Sequence, residues 1–227
     1  MKLAKRLTTV ASLIPPHTGV GDIGADRGEL SYYLLENSII DNIILSDISM
    51  NALNRAEKLF KDTPYFSKVD FRLGSGLTVL EPHEVEYVVL AGMGGQSIVN
   101  IFEECPKIAA SLKGMIVQAM GNTKAVRRYL ASHNFAITAE EMILEDGHYY
   151  TIIKAERGKM ELSETEIYGG PLLIKESHPI FKEYLKEQML YRQNLLAELV
   201  AKNKAKHRQE VIKTEIEFIE NIQRGMK

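Results

Sequence analysis

An acidic residue and glycines crowd the segment from Val20 to Leu30, where a β-forming run gives way to a helical pattern. The spacing is Asp22-x-Gly24-x-Asp26-x-Gly28. Gly24 and Gly28 lack Cβ, so backbone can approach a ligand closely or take positive φ. A helix starting near Glu29 offers free N–H groups at its first turn. This is not the G-x-G-x-x-G of dinucleotide sites. The carboxylate of Asp26 would repel a pyrophosphate and suit a ligand that carries positive charge. The same residues would also build a tight strand–helix turn that holds nothing.

Three further loops follow at corresponding places. Asp47 closes the second strand candidate, where a carboxylate can accept from both hydroxyls of a ribose. It could equally cap the next helix, as could Ser49. Gly74-Ser75-Gly76 ends the third strand as a flexible loop or a plain turn. Ala91-Gly92-Met93-Gly94-Gly95 ends the fourth and leaves backbone bare beside the first loop.

Alternating strand and helix patterns must position these loops. Strands are expected at residues 19–23, 42–47, 69–73, 85–91 and 114–118, and helices at 28–36, 50–60, 96–105 and 124–133. Such alternation gives a doubly wound α/β fold with a mostly parallel sheet. After His133 the pattern changes. Residues 135–144 and 148–155 read as strands joined by Glu145-Asp146-Gly147, an antiparallel hairpin. Tyr168-Gly169-Gly170-Pro171 reads as a turn, and Ser177-His178-Pro179 as a helix start. Two apolar-striped helices then meet at residues 202–208, forming an α-helical (coiled-coil) hairpin. The division expected is 1–160 for the ligand-binding domain, 161–176 for a linker and 177–227 for the hairpin.

The 227 residues carry 45% hydrophobic side chains, 26% charged and a net charge of −2, ordinary for a globular chain. Residues 1–160 hold 17 basic against 19 acidic side chains, and residues 161–227 hold 11 of each. Nucleic acid could therefore be held only by local patches. Cys105 is the only cysteine, which excludes an intrachain disulfide and fits a reducing compartment. The first fourteen residues, with Lys2, Lys5 and Arg6, read as an amphipathic helix rather than a signal peptide. A cytoplasmic location is expected, with no membrane span. The histidines show no metal-ligand spacing, so no metal is expected.

The first loop is close to that of class I S-adenosylmethionine methyltransferases, and a parallel sheet ending in an antiparallel hairpin is their pattern. The chain as a whole resembles the bacterial tRNA adenine-22 N1-methyltransferase family. The segments that carry the likeness are residues 4–7, 22–28, 46–49, 73–77, 91–95, 145–150 and 169–171. The resemblance implies a Rossmann-like catalytic domain, S-adenosylmethionine as donor and tRNA as acceptor. It implies cofactor contacts from Asp22, Gly24, Ala25, Asp26, Gly28, Asp47, Ile48, Gly74, Ser75, Gly76, Ala91 and Gly92. Gly92, Met93, Gly94 and Gly95 would shape the acceptor pocket, with Asp26 facing charge that develops on the base. A ring nitrogen has a free lone pair, which fits the lack of an Asn/Asp-Pro-Pro-aromatic motif at this loop.

For tRNA the candidates are Lys5, Arg6, Tyr149, Tyr150, Lys202, Lys204, Lys206 and Arg208. Adjacent tyrosines on a strand point to opposite faces, one able to stack on a base and the other directed to the core. The basic tip of the helical hairpin could grip phosphates or be a solvated turn. Lys2, Lys5, Arg6, Lys124, Arg127 and Arg128 are the remaining positive surface. A small-molecule methyltransferase that uses the hairpin to dimerise, or a non-catalytic cofactor-binding module, are the competing readings. The oligomeric state, monomer or homodimer, stays open.

Overall fold

The computed structural model describes Met1 and residues 3–226; Lys2, counted above with the basic N-terminal surface, lies outside the described residues. One seven-stranded sheet has the order β3-β2-β1-β4-β5-β7-β6. Its strands are β1 (Val20–Ile23), β2 (Ile43–Asp47), β3 (Val69–Leu73), β4 (Tyr87–Met93), β5 (Gly114–Ala119), β6 (Phe135–Glu145) and β7 (His148–Arg157). The first five run parallel, whereas β7 is antiparallel to both β5 and β6. This is the expected doubly wound sheet with its closing hairpin, and the expected strand bounds hold to within two residues.

The central strands are apolar without alternation because helices cover both faces. Against one face pack α1 (Lys5–Leu13), α2 (Glu29–Glu36) and α3 (Met50–Phe60), with Val10, Leu34, Leu45, Phe60 and Ile116 in that core. Against the other pack α4 (Gly95–Glu104), α5 (Pro106–Ser111) and α6 (Thr123–Ser132), around Leu90, Ile98, Phe102, Val117 and Leu130. Polar loops are thereby left along the carboxyl edge of the parallel strands, the usual ligand edge of such sheets.

The stretch expected as a linker is instead two short helices, α7 (Glu164–Gly169) and α8 (Pro171–Lys175). Ser163 and Glu166 form a reciprocal capping box at the start of α7. Gly170, at φ 98°, turns the chain between them. The long helices α9 (Pro179–Ala201) and α10 (Lys206–Gly225) follow as the expected antiparallel hairpin. His178 caps α9, and Pro179 takes its first position. The base of this hairpin is not free of the sheet. Phe181, Leu185, Ile219 and Ile222 bury against Met142 of β6 and Leu173 of α8.

Candidate active site

Four chain turns at the carboxyl edge build the site. After β1 the backbone bends sharply, with Gly24 at φ 73° and Asp26 at φ 48°. The N–H groups of Gly24 and Ala25 both donate to the Ser46 carbonyl, at 2.8 and 3.0 Å, which ties this loop to the end of β2. Gly28, at φ 70°, begins α2; a Cβ there would sit 2.9 Å from Leu45 Cδ1. A Cβ on Gly24 would meet the Met93 methyl at 2.2 Å. The loops after β1 and β4 therefore touch through Met93.

Asp22 is 4% exposed, and the Ser31 hydroxyl donates to it at 2.6 Å. Burial pushes its carboxyl up to about 6, against the pull of the Ser31 hydrogen bond and with a smaller push from Asp47. No cationic side chain among the described residues pairs with it. A buried carboxylate without a paired cation is costly, which is why burial favours its protonated form.

Asp47 accepts from the Asp26 N–H at 3.0 Å and the Ser49 N–H at 2.8 Å, while Ser49 itself caps α3. Each oxygen accepts one of these bonds and keeps capacity for another. Beside it Ile48 is 72% exposed, and Leu73 is exposed at the end of β3. The Gly74 N–H donates to the Asp47 carbonyl at 3.1 Å, and Gly76 opens a short 3-10 turn over residues 76–79. The four loops thus form one edge, acidic at β1 and β2 and apolar toward β3.

A cavity of about 330 Å³ lies on this edge, walled by Asp22, Ala91, residues 24–27 with Glu29 and Leu30, and, from α1, Arg6 with Leu7. Asp47, Ile48 and residues 74–76 stand outside its walls, along the neighbouring strand ends. The Gly92 N–H donates to the buried Gln118 side chain at 3.0 Å, which fixes the φ 79° turn of that loop. A Cβ on Gly95 would lie 2.3 Å from the Asn122 carbonyl oxygen, so this glycine is required by close packing on the loop after β5.

Asp26, a wall residue of the cavity, is already paired within the chain. Its carboxylate pairs with Arg55 of α3 at 2.5 Å, and both side chains are more than half exposed. Arg6 leans over the Tyr150 ring at 5.8 Å and lies 3.7 Å from Glu145. Glu145 also accepts the Lys5 N–H at 2.5 Å and the Arg6 N–H at 3.4 Å. It caps α1, whose own flanking residue is Ala4, and fixes this helix as a wall of the cavity. Glu145 was not singled out in the sequence as a site residue; the missing cap at Ala4 was the signal.

Tyr149 and Tyr150 do face opposite ways, but both are half-buried. The Tyr149 hydroxyl donates to Glu187 at 2.7 Å, and its ring meets Tyr184. Among the basic candidates, Lys204, Lys206 and Arg208 are exposed at the hairpin tip, whereas Lys202 pairs with Glu198 one turn earlier. Arg127 leaves the basic surface altogether. It is 1% exposed and bonds Glu140, itself 0% exposed, at 2.8 Å. Arg128 pairs with Glu164 at 2.5 Å.

The chain is similar to known proteins over most of its length. Residues 20–221 match the family model described as tRNA (adenine(22)-N(1))-methyltransferase. The Bacillus subtilis tRNA (adenine(22)-N(1))-methyltransferase is 29% identical over 205 residues, 88% of this chain and 86% of that protein. A Streptococcus pneumoniae structure in complex with S-adenosyl-L-methionine superposes with a TM-score of 0.88 at 28% identity, covering 97% of this chain and 99% of that one. M. capricolum TrmK, solved with S-adenosyl-homocysteine, gives 0.87 at 26% identity over the full length of both.

Proposed function

Since the chain belongs to the tRNA (adenine(22)-N(1))-methyltransferase family, we propose that it transfers a methyl group from S-adenosylmethionine to N1 of adenine 22 of tRNA, in a bacterial cytoplasm. The observation that carries this reading is buried Asp22, a carboxylate in no ion pair among the described residues, in the wall of a cavity at the carboxyl edge of the sheet. S-adenosylmethionine, when bound, supplies a methyl group on a cationic sulfur.

The chain's residues divide the work of binding and orientation. Asp22 faces the ammonium of the amino-acid end, and the bare backbone of Gly24 and Ala25 lets that end approach. Asp47 accepts from the ribose hydroxyls with the lone pairs its two N–H donors leave free. Ile48, with residues 74–76, forms the apolar bed for the adenine ring. Gly92, Met93, Gly94 and Gly95 line the approach of the target base, held rigid by Gln118 and residues 121–122. N1 of adenine brings its own lone pair and needs no proton removed, so the chain's task is alignment and exclusion of water. A target base inside folded tRNA must be turned outward to reach this edge.

This reading makes cofactor binding pH-dependent. Protonated Asp22 offers no charge to an ammonium, so affinity should fall as pH drops through about 6 and level off above it. Calorimetric titration from pH 5 to 8 measures this. Asp22→Asn should bind weakly and without that slope, and a wild-type profile flat across pH 6 would contradict the assignment.

Asp26 has a smaller part than its position in the loop suggests. An exposed pair with Arg55 is worth at most about 1 kcal/mol, and so solvated a carboxylate stabilises developing charge weakly. Asp26→Asn should change kcat by less than about fivefold; a larger loss would show that its pair with Arg55 opens during turnover.

Lys204, Lys206 and Arg208 at the hairpin tip serve the tRNA backbone in this reading, with Lys5 and Arg6 nearer the target base. Replacing the three tip residues by Ala should weaken tRNA binding and make its salt dependence shallower, by ~0.7–0.9 in log–log slope for each phosphate that is no longer neutralised. An unchanged slope would leave the tip as a solvated turn.

A further inference from the structure

A second cavity, also about 330 Å³, opens where the sheet meets the helical hairpin. Residues 119–122 form one lip, and Phe181 with Leu185 of α9 forms part of the floor. The same lip is bonded to the loop after β4. The Met120 N–H donates to the Met93 carbonyl at 2.8 Å, and the Gly95 N–H to the Gly121 carbonyl at 3.0 Å. The two cavities therefore flank one hydrogen-bonded ridge, and they share no wall residue.

The chemistry of this second cavity differs from that of the first. Tyr149, Tyr168 and Tyr184 line it, with Tyr168 stacked on Phe218 and Tyr184 on Phe181. Its acid, Glu215, is held by Arg192 at 2.9 Å, and Arg127 is committed to Glu140. Glu187, which lies next to Tyr149, accepts the Tyr149 hydroxyl. Lys124 remains exposed at the rim, 4.9 Å over the Tyr168 ring, with no carboxylate partner among the described residues. Rings beside one uncommitted cation suit a planar base with its phosphate. The surface does not end there. A neighbouring groove shares Lys124 and Tyr168 and runs on past Arg128, Thr214 and Phe218, a continuous surface that suits a polymer.

We propose that this cavity holds a second unstacked nucleotide of the RNA, a neighbour of the methylated adenine, with its base against the tyrosines and its phosphate at Lys124. The ridge between the cavities keeps this base away from the methyl group, which is why it is a neighbour and not the acceptor. The inference rests on the tRNA-methyltransferase reading above. It gives the helical hairpin a task at its base: closing one wall of a nucleotide site.

Photo-crosslinking reads the contact directly. The nucleotides flanking adenine 22 are replaced one at a time by 5-bromouridine, the full-length protein–tRNA complex is irradiated, and the modified peptide is mapped. The expected adduct lies on Tyr149, Tyr168 or Tyr184 from one flanking position; adducts confined to α1 or the hairpin tip, or none, would overturn the proposal. In parallel, Lys124→Glu at this exposed position should raise the Kd for tRNA by about tenfold or more while the Kd for S-adenosylmethionine and the melting temperature stay at wild-type values. Unaltered tRNA affinity would overturn the proposal as well. If the wild-type protein methylates tRNA and these results fail, the subsite falls alone; if it transfers no methyl group to tRNA, the reading beneath falls first.

Discussion

Arg127→Met is expected to destabilise the fold by about 3–5 kcal/mol, the cost of leaving a buried carboxylate without its partner. Arg127 and Glu140 are almost fully shielded from water. Glu140 bonds Arg127 Nε at 2.8 Å and the Leu172 N–H at 3.0 Å, while Arg127 also donates to the Ile167 carbonyl at 3.1 Å. One ion pair therefore fastens α6, β6, α7 and α8 together. Gly170 belongs to the same junction, since a Cβ there would lie 2.7 Å from both the Arg127 guanidinium and the Glu140 carboxylate. Denaturant melts of Arg127→Met against wild type measure the effect. A loss below about 1 kcal/mol would mean that water reaches Glu140 once the arginine is gone. The hairpin base and the second cavity hang on this junction, so RNA binding should weaken along with stability.

Asp47→Ala should weaken S-adenosylmethionine binding by about 1–3 kcal/mol, the range for removing a charged acceptor. Two losses combine in this variant. The ribose hydroxyls lose their acceptor, and the N–H groups of Asp26 and Ser49 lose theirs. Asp47→Asn keeps one acceptor oxygen and the side-chain shape, so it should fall between Ala and wild type. Isothermal titration separates the three. An Asp47→Ala protein that binds the cofactor as tightly as wild type would remove β2 from the cofactor site.

Much of the sheet can be read from the sequence because its signals are local. Apolar runs of strand length alternate with helical periods, and Asp146-Gly147 marks the closing hairpin. Glycines at strand ends show where backbone must lie bare. The short helices α7 and α8 escaped because Tyr168-Gly169-Gly170-Pro171 reads as a turn on composition. Their local signal was nevertheless present in Ser163 and Glu166, spaced as a capping box.

What stayed hidden was long-range. Nothing near Arg127 says that Glu140 will neutralise it, and a basic residue on a helix reads as surface until the fold buries it. Glu145 lies 140 residues from the N–H it caps. Asp26 was legible as a loop carboxylate, but its partner Arg55 comes from α3, beyond the helix that follows it. Asp22 was legible in type and place; its burial became visible only once α2 brought Ser31 over it.

The most direct test of the central claim is methyl transfer itself. The full-length protein is incubated with S-adenosylmethionine labelled in the methyl group and unmodified tRNA transcripts carrying adenine 22, and the product is digested and its modified nucleoside placed by mass spectrometry. The account predicts 1-methyladenosine at position 22, lost when that adenine is replaced. Label at another position or another atom, or no transfer by a protein that binds the cofactor, would contradict it.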